Sequence, residues 1–251
     1  MLLPVEGKMK QIKHTRKARA VDVSIIVPAY NEERRMRPFL TDFMKTVAKI
    51  PSCEVLFVDD GSRDQTAAIF RTFARRAKNV NVISLKKNAG KGGAVIRGVF
   101  AAKGKKIIFI DIDGSIAPHE ILAMIPLLNE YDVVVGSRAK KESIVKQSLV
   151  RKMTSSLFNP YVNLLFQNHI GDHLCGFKGF KRAVARDLFG NIMDKRWLFD
   201  VEIFYHIRRK GYTLYELPIT WINNDHSKMS VIEPFRMGFK LIFLRLKIRK
   251  S

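Results

Sequence analysis

Short apolar runs rich in Val and Ile recur along the first half of the chain, at 23–29 (VSIIVPA), 54–60 (EVLFVDD), 80–85 (VNVISL), 105–113 (KKIIFIDID) and 132–138 (DVVVGSR). Their length, β-branched content and polar borders predict strands. The stretches between them, 38–49, 64–77, 92–102 and 118–130, are amphipathic and long enough for helices, with Asp64 placed as a cap and Pro118 as an opening proline. Strand alternating with helix predicts successive βα units, an α/β fold built on a mostly parallel sheet flanked by helices. No internal repeat appears beyond this alternation.

The two ends depart from the pattern. Residues 1–20 carry Lys8, Lys10, Lys13, Arg16, Lys17 and Arg19 without an apolar period, which predicts a basic arm. In EPFRMGFKLIFLRLKIRK (233–250), Phe235, Phe239, Ile242, Phe243 and Leu246 recur at helical spacing among cations. That pattern predicts a basic, membrane-associating amphipathic helix over 231–251; a helix packed on the core through the same stripe is the alternative. The sequence therefore divides into an arm (1–20), a main domain (21–230) and a closing helix (231–251).

Composition narrows the class. At 47% hydrophobic and 27% charged, the chain resembles neither a collagen, a low-complexity segment nor a disordered polymer. Its 45 Lys and Arg against 23 Asp and Glu leave a net charge of +22, which calls for an acidic partner: nucleic acid, nucleotide phosphate or anionic lipid. Lys240, Arg245 and Lys247 interrupt the apolar tail, so no stretch reaches the roughly 18–20 residues of a membrane span. Two cysteines, Cys53 and Cys175, and an opening without a secretory pattern predict a reducing, cytoplasmic location.

In open α/β sheets, ligands bind beyond the carboxyl ends of the strands. Three acidic clusters lie there: Pro28-Ala29-Tyr30-Asn31-Glu32-Glu33, Asp59-Asp60-Gly61-Ser62 and Asp111-Ile112-Asp113-Gly114. The alternate spacing of Asp111 and Asp113 suits two hard oxygen ligands on one Mg or Mn ion, which would complete its shell with water and substrate phosphates. Glu32 and Asp59 could instead accept hydrogen bonds from a nucleobase or ribose. Gly90-Lys91-Gly92-Gly93 opens the third helix and predicts either a backbone N–H cradle for phosphate or a structural turn. It is not a Walker loop, and no G-x-G-x-x-G follows the first strand. A groove lined by these acids would repel a nucleic acid, so none is expected as a partner.

As an ordered set, PAYNEE, VDDGS, GKGGA, the D-x-D and GSR resemble the inverting family 2 glycosyltransferases, whose fold is the Rossmann-like GT-A. Asp172-His173-Leu174-Cys175-Gly176-Phe177-Lys178, Trp197-Leu198-Phe199-Asp200-Val201-Glu202 and Ser227-Lys228 resemble the branch acting on polyprenyl phosphates, the dolichyl-phosphate glucosyltransferases first and the dolichyl-phosphate mannose synthases next. The resemblance spans roughly residues 22–230. It implies that Pro28, Ala29, Tyr30, Glu32 and Asp59 hold the base and ribose, with Asp60 and Lys91 beside them, and that Asp111 and Asp113 bind the metal and the sugar diphosphate. Ser115 stands where mannose synthases often carry a further ligand, Gln. Arg151, Ser155 and Asn159 recur every four residues on one helical face. The resemblance makes Arg138, Arg151, Ser155 and Lys228 binders of the acceptor phosphate, and Asp172, Gly176 and Lys178 a structural or donor-site motif. Asp113, Arg138, Asp200 and Glu202 form the implied catalytic set, Asp200 and Glu202 orienting sugar hydroxyls or assisting. The implied reaction moves a hexose, glucose before mannose, from a nucleoside-diphosphate sugar (UDP-glucose or GDP-mannose) to dolichyl or polyprenyl phosphate, on the cytoplasmic face of an anionic membrane. A saccharide acceptor would instead require Asp200 or Glu202 as base. Oligomeric state stays open.

Overall fold

The computed structural model describes residues 20–146, 149–222 and 233–249, with the side chains of 149–156, 233–237, 239 and 249 excepted. The basic arm up to residue 19, Ser227 and Lys228, and the side chains of Arg151, Ser155, Phe235 and Phe239 lie outside the described residues.

All five expected strands form: β1 (Val23–Ala29), β2 (Cys53–Asp59), β3 (Val80–Ser84), β4 (Lys106–Ile110) and β5 (Val133–Ser137). The helices between them, α1 (Met36–Val47), α2 (Thr66–Ala74), α3 (Lys91–Ala101) and α4 (Glu120–Glu130), shift by a few residues from the expected bounds. Asp64 lies one residue before the cap position, which Gln65 takes instead, though its Oδ1 accepts the Thr66 N–H at 3.0 Å. Pro118 opens the turn before α4 rather than the helix, its carbonyl accepting the Ile121 N–H at 3.2 Å. The strand expected to run to 113 stops at Ile110, which leaves both carboxylates of the D-x-D on the turn beyond the sheet.

The remaining elements are β6 (Ile144–Lys146), α5 (Leu149–Phe166), β7 (Phe177–Lys181), α6 (Arg182–Phe189), α7 (Phe199–Lys210), β8 (Leu214–Pro218), β9 (Thr220–Ile222) and α8 (Glu233–Arg249). A seven-stranded sheet runs β3-β2-β1-β4-β7-β5-β8, and β6 pairs with β9 apart from it. Every pairing in the large sheet is parallel except those of β7, which runs antiparallel between β4 and β5. The register places Ala29 beside Asp59 and Asp59 beside Ser84, so the acidic strand ends share one rim.

One face of the sheet packs Phe39, Phe43, Phe57 and Phe70 under α1 and α2; the other packs Ile26, Val95, Phe109, Phe180 and Phe199 under α3, α6 and α7. Burial on both faces is why β1 and β2 read as mostly apolar runs, broken by Ser24 and Glu54, whose buried side chains pair with each other at 2.6 Å. A third cluster joins α5, α7 and α8 through Phe158, Val162, Phe166, Val201, Leu241, Leu244 and Ile248. The closing helix is therefore part of the fold, held by a stripe that the Phe-centred reading passed over. Ile242, Phe243 and Leu246 of the expected stripe face outward, with Phe243 72% exposed.

Candidate active site

The loop after β1 is knitted to the loop after β2. The Asn31 N–H donates to Ser62 Oγ (3.0 Å), the Glu32 N–H to Thr66 Oγ1 (2.7 Å) and the Arg63 N–H to Asn31 Oδ1 (2.8 Å), while Asn31 adopts a left-handed φ of 53°. These bonds fix the backbone at Asn31 and Glu32, so that Tyr30 and Glu32 continue from Pro28 and Ala29, the last residues of β1, as a ledge at the rim. Glu32 is buried and takes a two-pronged contact from Arg35, from Nη2 to Oε1 at 2.8 Å and from Nε to Oε2. Arg35 was not singled out from the sequence, though its place three residues after Glu32 is the i,i+3 signal of an acid–base pair. Its pKa is raised by the Glu32 hydrogen bond, with burial opposing and the charges of Glu32, Asp113 and Asp111 adding to the rise.

Asp59 and Asp60 divide their work. Asp59 Oδ1 accepts the Ser62 N–H at 3.1 Å and closes the turn over Gly61. Asp60 is turned toward the loop that leads into α3, where it accepts hydrogen bonds from Asn88 Nδ2 (2.8 Å), the Ala89 N–H (2.7 Å) and the Gly90 N–H (3.0 Å). Burial pushes its pKa up against those donors. For the glycines that follow, open to a phosphate cradle or a structural turn, the contacts among the described residues are those of close packing. The Gly92 and Gly93 N–H groups donate to the carbonyls of Arg196 (3.2 Å) and Lys195 (2.9 Å), and a Cβ on Gly92 would lie 2.9 Å from the Lys195 carbonyl carbon. The start of α3 is thereby clamped to the segment before α7.

Lys91, the first residue of α3, reaches across this clamp. Its Nζ lies 2.8 Å from Asp111 Oδ2 and 5.6 Å from the centre of the Trp197 ring. Asp111 is fixed from behind by Gly176: its N–H donates to the Gly176 carbonyl at 2.9 Å, and a Cβ on Gly176 would sit 1.8 Å from Asp111 Oδ2. Burial and the neighbouring charge of Asp113 raise the Asp111 pKa, against the pull of Lys91. Lys91 is also raised, since Asp111 and Asp200 outweigh the lowering effect of burial. Asp113 stands on the next turn with Oδ1 accepting the Ser115 N–H at 2.9 Å. Among the described residues, no three His, Cys, Asp or Glu converge on one point. A pair of carboxylates is nonetheless the donor set that a small hard cation takes when water and phosphate complete its shell, so Asp111 and Asp113 fit Mg or Mn.

The Asp172–Lys178 segment forms the back wall. Asp172 receives Arg138 through Nε (2.6 Å), Nη2 (2.7 Å) and the backbone N–H (3.1 Å), and the guanidinium lies 5.3 Å from the Trp221 ring centre. Burial alone would raise the Asp172 pKa; Arg138 holds it below the usual carboxylate range. Lys178 is fully buried, with Nζ donating to Asp200 Oδ1 (2.7 Å) and the Cys175 carbonyl (2.6 Å) between the rings of Phe109 and Phe204. Asp200 and Glu202, paired in the sequence reading, do different things. Asp200 lies on the side of Lys91 and Asp111, whose charges it influences. Glu202 accepts the Met193 N–H (2.9 Å to Oε1) and the Asp194 N–H (3.1 Å to Oε2) and so shapes the loop entering α7. Residues two apart on a helix point in different directions, which separates the two roles.

Asn159, on α5, is the one member of its four-residue series whose side chain is described. It faces the back wall, accepting the His173 N–H (3.3 Å) and meeting His173 Nδ1 (3.0 Å). Burial drives the His173 pKa down to about 4. Between pH 6.5 and 4 the unfolded chain then binds a proton that the folded chain does not, so stability falls as pH drops through that window, by up to about 3 kcal/mol. Urea midpoints measured from pH 7 to 4 should fall accordingly, and those of His173→Gln should fall less. Both cysteines are free and buried, and burial pushes each thiol up to about 12.

A parallel sheet with one antiparallel inner strand, paired acids after β4 and a polar ledge after β1 define a GT-A nucleotide-sugar transferase fold. Comparison with known proteins agrees. The model of the family "Glycosyl transferase family 2" matches residues 24–189. Dolichyl-phosphate beta-glucosyltransferase of Homo sapiens is 33% identical over 246 residues, covering 90% of this chain and 75% of the relative; that of Dictyostelium discoideum is 32% identical over 243 residues, covering 90% and 73%. The UDP complex of glucosyl-3-phosphoglycerate synthase from Mycobacterium tuberculosis shares the fold with a TM-score of 0.67 at 19% identity, over 90% of this chain and 79% of that one. The same enzyme has been solved with Mn2+, UDP and glucosyl-3-phosphoglycerate (TM-score 0.60, 18% identity, 91% and 80% covered). The chain belongs to glycosyltransferase family 2 and is a glycosyltransferase.

Proposed function

We propose that this enzyme transfers glucose from UDP-glucose to dolichyl or a related polyprenyl phosphate, with inversion at the anomeric carbon. The observation that carries the reading is the convergence of Asp111, Asp113 and Lys91 at the rim beside the ledge of Pro28, Ala29, Tyr30, Glu32 and Asp59; the choice of glucose and lipid phosphate rests on the named relatives. The ledge takes the base and ribose. Asp111 and Asp113 hold Mg or Mn, which when bound neutralises the departing diphosphate. Asp60 and Glu202 support the site by fixing its loops, and Gly176 and Lys178 fix Asp111 and Asp200. Asp200, oriented by the Lys178 ammonium, directs the sugar hydroxyls. Arg138, set by Asp172 and Trp221, joins Arg151, Ser155 and Lys228 in binding the acceptor phosphate. A phosphate oxygen is already anionic near neutral pH, so attack needs orientation and charge shielding rather than a general base. UDP- and GDP-sugars assayed against dolichyl phosphate and a soluble saccharide test this: UDP-glucose with the lipid should give the β-glucosyl lipid. A preference for GDP-mannose or for the saccharide would refute the substrate assignment.

The partner surface in this reading is an anionic membrane on its cytoplasmic side. No helix among the described residues is long and apolar enough to cross one. Supporting such contact, Ile242, Phe243 and Leu246 of α8 are exposed at helical spacing, with Lys240 and Lys247 exposed on the same helix, and Leu157 and Leu164 of the neighbouring α5 are exposed as well. Apolar area and cations on one surface are what an anionic bilayer interface binds. Replacing Ile242, Phe243 and Leu246 together with Ser should cut sedimentation with anionic liposomes several-fold while leaving the thermal midpoint near wild type, because Leu241, Leu244 and Ile248 hold the helix to the core. Liposome binding that survives these changes would remove α8 from the membrane surface.

A further inference from the structure

Lys91 occupies an unusual position for a donor-binding lysine, because it is already bonded to a metal-binding carboxylate. The Lys91 Nζ to Asp111 Oδ2 distance is 2.8 Å, and the two side chains are only 14% and 29% exposed. A divalent ion on either oxygen of Asp111 would face the Lys91 ammonium across a single carboxylate, and water screens that repulsion poorly in a site this enclosed. Parting the two cations relieves it. Asp111 is the immobile member: its N–H is tied to the Gly176 carbonyl, and the Gly176 Cα lies directly behind its carboxylate. The Lys91 backbone is immobile as well, since the first turn of α3 is clamped through Gly92 and Gly93 to Arg196 and Lys195. The four-carbon stem of Lys91 is what remains free to turn, along the wall made by Trp197. Of the other acids, Asp200 has Oδ1 committed to Lys178. A diphosphate is the partner that would receive the ammonium at no loss of charge pairing.

We propose that Lys91 is a tethered counter-cation that holds Asp111 until a nucleoside diphosphate arrives and then changes partner to it, so that divalent-ion binding and donor binding are coupled through this one side chain. This rests on the assignment of Asp111 and Asp113 to the metal. Metal alone binds weakly because it must part Lys91 from its 2.8 Å contact with Asp111 in a partly buried place, and the diphosphate, by receiving the ammonium, removes that cost. By linkage, the metal must strengthen diphosphate binding by the same factor.

The test is titration of Mn2+ into the full chain, with free Mn2+ read by electron paramagnetic resonance, with and without saturating UDP. Lys91→Met should bind Mn2+ alone on the order of tenfold more tightly than wild type. With UDP present the two should bind Mn2+ alike, so the enhancement by UDP shrinks by that same factor, and Lys91→Arg should keep it. A lysine that merely added positive charge would behave differently: its removal would tighten Mn2+ binding equally with and without UDP, and that result overturns the proposal, as does unchanged affinity. Lys91→Gln serves the same comparison if the Met variant does not fold. Asp113→Ala separates the two levels. If it leaves Mn2+ binding intact, the metal assignment falls and the proposal with it; if it abolishes binding while Lys91→Met matches wild type, the proposal alone falls.

Discussion

Asp113→Ala should lower transfer by about 10³-fold, the scale of removing one preorganised source of charge stabilisation from a transition state. The side chain stands on the turn beyond β4 at the rim, where its charge acts on Arg35 and Lys91 and its Oδ1 accepts a hydrogen bond from the Ser115 N–H at 2.9 Å. Losing that bond should cost about 1 kcal/mol of stability. Activity and fold should therefore separate: thermal melting near wild type, Mn2+-dependent UDP binding weakened, turnover nearly gone. Asp113→Asn, which keeps an oxygen for the Ser115 N–H but not the charge, should restore the melting temperature and leave turnover low. Near-normal turnover in either variant at limiting Mn2+ would remove Asp113 from the diphosphate site.

How much of this was legible depended on what each residue had to satisfy. The runs that became β1, β2, β4 and β5 were plain because strands covered on both faces are mostly apolar, the buried Ser24 and Glu54 being paired with each other at 2.6 Å, whereas β3 at the sheet edge was marked by its β-branched residues. β7 was hidden by its own function: FKGFK places a lysine at the centre of the sheet, and Lys178 is tolerable there only because Asp200 and the Cys175 carbonyl, distant or irregular in sequence, meet its ammonium. The closing helix carries apolar residues on two faces, and the larger Phe and Ile side chains drew attention to the outward one. Carboxylates after apolar strands marked the rim correctly. The glycines of GKGG were ambiguous, since a missing Cβ admits a phosphate or another backbone equally well, and only the fold shows Lys195 and Arg196 filling that space. Arg35 and Trp197 lie outside the helices and strands, where the three-residue spacing of Glu32 and Arg35 is the one local signal.

Gly176→Ala should be as damaging to transfer as the loss of Asp111 itself. The new methyl group would lie 1.8 Å from Asp111 Oδ2 and 2.2 Å from its Cγ. The backbone cannot retreat cheaply, because the Gly176 carbonyl accepts the Asp111 N–H and Phe177, the next residue, is already paired with Ile110 in the sheet. The Asp111 carboxylate must turn away instead, breaking its bond to Lys91 and vacating its place beside Asp113. Overpacking of this kind costs about 1–3 kcal/mol, so the variant should fold with a lowered melting temperature. Two residues that act through one carboxylate should not be additive: Gly176→Ala combined with Asp111→Gly should transfer sugar no more slowly than Asp111→Gly alone. The double variant should also melt higher than Gly176→Ala, since removing the carboxylate leaves room for the methyl group. Rates that multiply, or a Gly176→Ala enzyme with more than a tenth of wild-type activity, would mean that Asp111 does not need the position the glycine gives it.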